Sequence, residues 1–140
     1  MIQKFKKYKF HLLAFIIPIV VLGFIYIIRC QLRGSTFFIS DSYGQYLPLF
    51  SYFKDVIDSK QSLMYSFSKG IGGSMFGTYA YYLASPLNFL IIFFSKQNLY
   101  IFFATMVILK LGLSSLFMYI YVSKRKIKQS LKLIVSICYA

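Results

Sequence analysis

The sequence predicts an all-α integral membrane protein with two complete transmembrane helices, a partial third helix and an external loop containing amphipathic interfacial helices. Three observations support this fold class. First, 59% of the 140 residues are hydrophobic and only 14% are charged, which is more apolar surface than a soluble domain of this length can bury. Second, long apolar segments are flanked by basic runs. Third, all the acidic residues lie between two of the apolar segments.

The basic runs indicate how the chain is oriented in the membrane. The formal net charge is +13, and nine of the sixteen Lys and Arg residues fall in two runs, 4–9 and 124–132. Each run lies beside an apolar segment, as the positive-inside rule expects of cytoplasmic flanks. The charge therefore predicts a cytoplasmic amino terminus and the lipid bilayer as partner, with no nucleic-acid partner.

Segment 11–28 is predicted to be the first transmembrane span. Its residues carry no formal charge at neutral pH, and it would form about 27 Å of helix at 1.5 Å per residue. Lys9 and Arg29 flank it, and Pro18 lies inside it. A basic start before an apolar run also fits a signal peptide, but no small-residue cleavage site follows. We therefore expect a retained anchor.

Charge also decides how often the second half of the chain crosses the membrane. Two apolar segments, 76–95 and 99–122, are separated by only three polar residues. If both crossed, the following basic loop, 123–129, would lie outside the cell, whereas a single crossing keeps it in the cytoplasm. We therefore predict that only 99–122 spans, and that 86–94 forms a short helix in the outer interface.

The last apolar segment, 130–140, predicts the beginning of a third span. About ten residues are too few to cross a bilayer, so we expect the chain to be the amino-terminal fragment of a longer polytopic domain. Cys30 and Cys138 should lie at different depths in this arrangement, and their spacing predicts neither a disulfide nor a metal site.

The external loop, 29–98, contains Asp41 just beyond the first span. Further on, apolar residues recur at helical spacing from 49 to 57, which predicts an amphipathic helix along the membrane. Pro48 suits the start of such a helix. The glycines at 70–77 lack the spacing of a phosphate-binding loop and predict a turn.

Asp55 and Asp58 fall on the polar side of this predicted helix, near Lys54 and Lys60. Exposed carboxylates at this spacing from lysines usually form ion pairs on a solvated face. We therefore predict ion pairs for these two residues and no catalytic role.

Several short elements, in this order and at these separations, resemble the amino-terminal part of the bacterial YfhO family. They are Asp41, Gln45-Tyr46, Pro48, Gly70-Ile71-Gly72, Tyr81-Tyr82, Ser85-Pro86-Leu87-Asn88, Lys110 and Gly112. That family is similar to the GT-C superfamily of membrane glycosyltransferases. The resemblance implies transfer of a sugar from a polyprenyl-phosphate carrier to a cell-envelope glycopolymer, such as lipoteichoic acid, on the outer face of the bacterial cell membrane.

The resemblance also implies roles for particular residues. Asp41 holds the place of the acid that acts as general base or orients the acceptor, and such a carboxylate can take the proton of the acceptor hydroxyl. The alternative is that Ser40 and Asp41 cap the helix that follows them. Gln45 and Tyr46 would contact sugar or acceptor hydroxyls. Other loop aromatics could stack on sugars or anchor the loop in the interface; they are Tyr43, Tyr65, Tyr79, Tyr81 and Tyr82.

Lys110 lies in the middle of the second predicted span, where a charge costs about 2.5 kcal/mol or more on insertion scales. Two interpretations remain open for it. It could bind the carrier phosphate as a substrate-binding residue, or it could pair with a carboxylate in helices beyond this fragment. The sequence predicts no metal ligands, and it predicts no cofactor other than the polyprenyl-phosphate-linked sugar, which is a substrate.

Two other functions fit the composition. One is a small basic membrane protein without catalytic activity, and the other is a transporter fragment, because intramembrane lysines also occur on substrate paths. The glycine-broken polar loop argues against a simple anchor. We expect the fragment alone to be inactive as a transferase.

Overall fold

The structure is a computed structural model that describes residues 2–33, 41–68 and 71–140, with side chains described for 8–30, 41–68 and 71–140. It divides into two compact units. The helix unit comprises Met1–Ser35 and Val107–Ala140, and the loop unit comprises Thr36–Met106. Apart from one small hairpin, the regular structure of the described residues is helical, which confirms the predicted all-α class.

In the described part of the chain, two helices are long and apolar enough to cross a membrane. Helix α1 is Ile2–Arg33, and its apolar part is Tyr8–Cys30. Helix α4 is Leu99–Ser123, within an apolar stretch that begins at Lys96. The predicted spans 11–28 and 99–122 lie inside these helices. Pro18 does not end α1, as is common in membrane helices, where other groups satisfy the carbonyl that proline leaves free.

Close backbone approach holds α1 against the second half of α4. A Cβ added to Gly112 would lie 2.7 Å from Ile19 Cγ1 and 3.2 Å from the backbone oxygen of Phe15. Only a residue without a side chain fits at such a crossing, which is how small residues let membrane helices pack closely. Gly112 is therefore a packing residue of the helix unit.

Helix α5, Gln129–Tyr139, follows a short basic turn and is joined to α4 by polar contacts. Lys132 is buried, and its Nζ donates a hydrogen bond of 2.9 Å to the backbone oxygen of Ser123 in the last turn of α4. Gln129 donates to the hydroxyl of Tyr119, and the His11 ring meets the Tyr119 ring edge-on at 4.9 Å. A charged donor near the end of a helix satisfies a carbonyl that has no partner within the helix. That α5 begins a third span remains a prediction.

The loop unit is built around helix α2, Leu47–Ile57, which has Pro48 in its first turn. The apolar face predicted for this helix buries Phe50 and Phe53. Phe50 meets Phe102 edge-on at 5.1 Å, and Phe53 meets Phe89 at 5.8 Å. Edge-to-face contacts of this kind stabilise aromatic cores beyond the area they bury. The location of α2 on a membrane surface remains a prediction.

The ion pairs of α2 differ partly from those predicted. Asp58 pairs with Lys54 at 3.3 Å and lies 3.9 Å from Lys60, as expected. Asp55 also forms a predicted ion pair, but its partner is Lys96 and not one of the nearby lysines, Lys54 and Lys60. Lys96 is distant in sequence but close in the fold, and its side chain therefore ties α2 to the segment just before α4.

Short elements complete the loop unit. Strands β1, Tyr65–Ser66, and β2, Gly73–Ser74, form an antiparallel hairpin. Gly72 precedes β2 with a φ of +110°, and a Cβ there would lie within 3 Å of the Tyr65 ring, at its Cζ. The turn predicted from the glycines is therefore confirmed at Gly72, while Gly70 lies outside the described residues. The strands themselves were not predicted, because two residues are too short to show an alternating pattern.

Segment 76–95 is not one continuous helix. Helix α3, Met75–Thr78, is followed by a π-helical turn, Tyr79–Leu83, and by a 3₁₀ helix, Pro86–Phe93. The buried Asn88 side chain donates a hydrogen bond of 3.1 Å to the backbone oxygen of Leu83, which joins the last two elements. The predicted short helix at 86–94 is thus present in 3₁₀ form, and its location in the outer interface remains a prediction.

Candidate functional site

A pocket of about 410 Å³ lies at the amino-terminal end of α2 in the loop unit. Its walls come from the π-helical turn Ser42–Tyr46, from α2, from the hairpin, from α3 and from the second π-helical turn. The lining residues are Gly44, Gln45, Pro48, Leu49, Tyr52, Ser66, Ser68, Met75, Thr78 and Tyr82. Among these, six carry a neutral polar group and three are apolar. We call this cavity the α2 pocket.

Gln45 is the predicted site residue that lines the α2 pocket. Its Nε2 donates a hydrogen bond of 2.7 Å to the hydroxyl of Tyr82 on the opposite π-helical turn. Tyr46 does not line the pocket; its ring meets the Tyr82 ring edge-on at 5.6 Å and also contacts Phe103. Tyr46 therefore positions Tyr82. Single π-helical turns are rare and occur often at functional sites, and here two of them face each other through Gln45 and Tyr82.

The hairpin supplies pocket residues that the sequence reasoning missed. Ser66 is only 3% exposed, and its Oγ accepts a hydrogen bond of 3.1 Å from the backbone N–H of Ser68. Tyr52 donates its hydroxyl proton to the backbone oxygen of Ser62 at 2.6 Å. A serine carries no signal in a sequence that would mark it as a pocket residue, because its role depends on the hairpin that places it.

Of the loop aromatics considered for sugar contact, Tyr82 lines the α2 pocket and Tyr43 lines a second groove of about 400 Å³. That groove is bounded by Tyr43, Leu47, Pro48, Ser51, Lys96, Gln97, Leu99 and Tyr100. Pro48 separates the two cavities, because it lines both. The remaining candidates, Tyr65, Tyr79 and Tyr81, are engaged in ring contacts with neighbouring aromatics.

Asp41 lies directly before the first π-helical turn and is exposed. Its backbone is already helical, with φ −61° and ψ −28°, and its side chain makes no capping hydrogen bond. Asp41 therefore does not cap this helix, and Ser40, the other residue of the capping alternative, lies outside the described residues. No ion pair engages Asp41 among the residues that the structure describes, so its carboxylate is available to a ligand. Asp41 is one helical turn away from Gln45 along the chain, although it does not line the α2 pocket.

Lys110, the fourth predicted site residue, belongs to the helix unit. Its side chain is exposed on α4, and within the described part of the chain it has no hydrogen bond or ion pair. A charge in the middle of an apolar helix is costly unless it is paired. Both interpretations of Lys110, the carrier phosphate and a carboxylate of another helix, therefore stay open.

Metal ligands form no cluster in the described ranges, since no group of three or more His, Cys, Asp or Glu side chains lies close enough together to hold an ion. The polar groups that converge in the loop unit are instead hydroxyls and one amide. Such groups exchange hydrogen bonds with a hydroxylated ligand.

Comparison with known proteins identifies the family of this chain. The model of the bacterial membrane protein YfhO family matches residues 14–140. No curated protein matches the sequence, and no solved structure does either. The match covers nearly the whole chain and confirms the resemblance carried by Asp41, Gln45-Tyr46 and the later elements. This chain therefore belongs to the YfhO family of bacterial membrane proteins.

Proposed function

We propose that this chain is the amino-terminal part of a membrane glycosyltransferase that moves a sugar from a polyprenyl-phosphate carrier to a cell-envelope glycopolymer on the outer face. Membership of a glycosyltransferase-like membrane family supports the reaction class. The observation that carries the proposal is the Asp41 carboxylate, which makes no ion pair or capping hydrogen bond with the described residues and lies one helical turn before Gln45 of the α2 pocket.

In the proposed reaction, Asp41 takes the proton of an acceptor hydroxyl as its oxygen attacks the anomeric carbon of the donor sugar. The bond from that carbon to the phosphate oxygen breaks, and polyprenyl phosphate leaves with the bonding electrons. Gln45 contacts sugar or acceptor hydroxyls, and Tyr46 acts through Tyr82. Lys110 belongs to the helix unit, and for it the carrier phosphate and a carboxylate of another helix remain the two alternatives.

Asp41→Asn tests the role of the carboxylate. Asparagine keeps the size of the side chain and loses the base, so we expect sugar transfer to fall by about 100-fold to 10,000-fold. Stability in detergent should stay unchanged, because the Asp41 side chain makes no cap hydrogen bond. Transfer is measured in a longer YfhO-family protein that carries this region, since we expect the 140-residue chain alone to be inactive.

Asp58→Asn is the matched control for this experiment. Asp58 is also exposed, but it is held in ion pairs with Lys54 and Lys60, so its substitution should leave transfer near normal. Near-normal transfer in Asp41→Asn would remove Asp41 from the site. A similar loss in both variants would show a general effect of lowering the negative charge of the loop.

The proposal also requires the loop unit to lie outside the cell. Cysteine labelling in intact cells should find Lys7→Cys and Lys126→Cys protected and Ser59→Cys reactive towards a membrane-impermeant reagent, with Cys30 and Cys138 replaced by serine. The expectation follows from the two basic runs, which favour the cytoplasmic side. Reactive Lys126→Cys would contradict the single crossing by α4 and place the basic turn outside.

A further inference from the structure

We infer that the α2 pocket is a subsite for one neutral sugar ring, held by Gln45, Tyr82 and the hairpin serines. This inference rests on the proposed function, because it specifies which part of the substrate the pocket takes. It adds Tyr82, Ser66 and Ser68 as specificity-determining residues. Four properties of the pocket support it: hydrogen-bonding capacity, walls, size and charge.

The polar groups of the α2 pocket have unused hydrogen-bonding capacity of both kinds. The Tyr82 hydroxyl accepts from Gln45 Nε2, which leaves its own hydrogen to donate and leaves Gln45 Oε1 to accept. The Ser66 hydroxyl accepts from the backbone of Ser68 and can still donate. Ser68 offers a further hydroxyl at the wall. Each sugar hydroxyl both donates and accepts, so a wall with both functions suits it better than a wall with one.

The remaining walls suit the apolar faces of a pyranose ring. Pro48, Leu49 and Met75 line the pocket, and Met75 is buried in the loop unit. The Tyr82 ring is fixed by Tyr46 at 5.6 Å and by Tyr81 at 4.6 Å, both edge-on. A fixed aromatic ring with a polar tip binds an amphipathic ligand without losing much side-chain entropy.

Size and charge narrow the ligand further. The volume of about 410 Å³ lies near the lower end of the roughly 300–1,000 Å³ typical of small-molecule sites, which fits one ring better than a long saccharide. None of the described lining residues is charged. A phosphate placed among them would be desolvated without a counter-charge, which is costly. The observations therefore favour a neutral ring in the pocket, with the phosphate of the donor outside it.

Two glycines allow the pocket to be blocked without disturbing the fold. Gly44 lines the α2 pocket, Gly77 does not, and a Cβ added to either would meet nothing within 4 Å. Gly44→Leu should therefore fold and fill part of the pocket, while Gly77→Leu adds the same side chain elsewhere in the loop unit. The pair separates occlusion of the pocket from a general effect of a new leucine.

A second pair of variants tests the hydroxyl itself. Tyr82→Phe removes the hydroxyl that faces the ligand and keeps the ring against Tyr46, whereas Tyr81→Phe alters a neighbouring tyrosine that is 81% exposed and does not line the pocket. Loss of one hydrogen bond lowers affinity by about 3-fold to 10-fold. Tyr82→Phe should show this loss, and Tyr81→Phe should not.

The experiment measures binding of methyl pyranosides to the full 140-residue chain in lipid nanodiscs by saturation-transfer NMR, with sorbitol as an acyclic polyol control. We expect at least one of methyl glucoside, methyl galactoside and methyl N-acetylglucosaminide to bind. Gly44→Leu should weaken that binding about 10-fold or more, and Gly77→Leu should not. Inorganic phosphate at equal concentration should not displace the glycoside.

Several results would overturn the inference. They are the absence of glycoside binding, binding that sorbitol matches, displacement by phosphate, or an equal effect of Gly44→Leu and Gly77→Leu. This experiment measures binding and not transfer. Failure of the inferred sugar subsite is therefore distinguishable from failure of the proposed transferase function. Glycoside binding without transfer in any longer relative would leave the subsite standing and reject the transferase proposal. Transfer that is insensitive to Gly44→Leu would support the transferase proposal and reject the sugar subsite.

Discussion

The helix unit and the loop unit are both helical, but they use different kinds of helix. The helix unit consists of α1, most of α4 and α5, and these are regular α-helices. In its described residues, the loop unit contains two π-helical turns, the 3₁₀ helix Pro86–Phe93, a second 3₁₀ segment, Lys96–Asn98, and a hairpin, together with α2, α3 and the first turns of α4. Regular helices satisfy their own backbone groups and can therefore face lipid. Irregular turns redirect side chains, and the α2 pocket lies where two of the π-helical turns meet.

The internal contacts that stabilise each unit also differ. In the helix unit, Gly112 allows close packing, and Lys132 satisfies a carbonyl at the end of α4. In the loop unit, edge-on aromatic contacts around Phe50 and Phe53 form the core, and the Asp55–Lys96 pair joins distant segments. The comparison predicts that close backbone packing restricts which side chains the helix unit tolerates. In the loop unit, turn geometry and polar pairs should impose this restriction.

Gly112→Leu should give the largest loss of stability. A Cβ at this position already approaches Ile19 Cγ1 to 2.7 Å and the Phe15 carbonyl oxygen to 3.2 Å, so a leucine must push the helices apart. Overpacking of this kind costs about 1–3 kcal/mol, and we expect about 3 kcal/mol because one contact is to backbone. The free energy of unfolding is measured in mixed detergent and SDS by circular dichroism.

Gly23→Leu in α1 is the control, because a Cβ at Gly23 meets nothing within 4 Å. It should be neutral or slightly stabilising, since leucine favours the helix by up to about 1 kcal/mol over glycine. Equal loss in both variants would mean that the contact at Gly112 does not limit the helix unit.

Gly72→Ala should give a smaller and local loss in the loop unit. Alanine is strained at a φ of +110°, and its Cβ would meet the Tyr65 ring. Residues held in such conformations cost about 1–3 kcal/mol, and we expect about 1–2 kcal/mol because the hydroxyl end of Tyr65 is able to move. Limited proteolysis and hydrogen exchange of the hairpin measure the effect.

Gly77→Ala serves as the comparison for Gly72→Ala, because its added Cβ would have free space. Tyr65→Ala combined with Gly72→Ala should recover only part of the loss, since the strained φ remains. Full recovery would show that contact with Tyr65, and not backbone strain, explains the requirement for glycine.

The same contrast explains which features could be predicted from the sequence. The spans 11–28 and 99–122 fall inside α1 and α4 because hydropathy over about twenty residues is a local property. The buried face of α2 was also predictable, since Phe50 and Phe53 recur at helical spacing. The partner of Asp55 was not predictable, because Lys96 is far away in the chain and only the fold brings it close.

The candidate site was predictable only in part. Gln45 was chosen because of a family resemblance and lines the α2 pocket, whereas Ser66 and Ser68 enter it through a hairpin too short to give a sequence pattern. Asp41 was expected either to cap a helix or to serve as a base, and its side chain makes no capping hydrogen bond with the residues that the structure describes. Long-range pairing, not composition, decides which polar residues converge.

The smallest expected effect is the coupling between Asp55 and Lys96 in the loop unit. Asp55 is 19% exposed and Lys96 is 44% exposed, so solvent screens the pair and its contribution should be about 0.5–1 kcal/mol. A double-mutant cycle with Asp55→Asn and Lys96→Gln measures this coupling through the unfolding free energy of the loop unit. The cycle with Asp58→Asn and Lys60→Gln is the control, because that pair is 3.9 Å apart and Lys60 is 66% exposed. We expect a coupling near zero there.

Raising the salt concentration should weaken the Asp55–Lys96 coupling, because the Debye length falls to about 3 Å at 1 M. A coupling that is absent at low salt, or equal in the two cycles, would show that the aromatic core alone holds α2 against the segment before α4, and the loop unit would then depend on packing as the helix unit does.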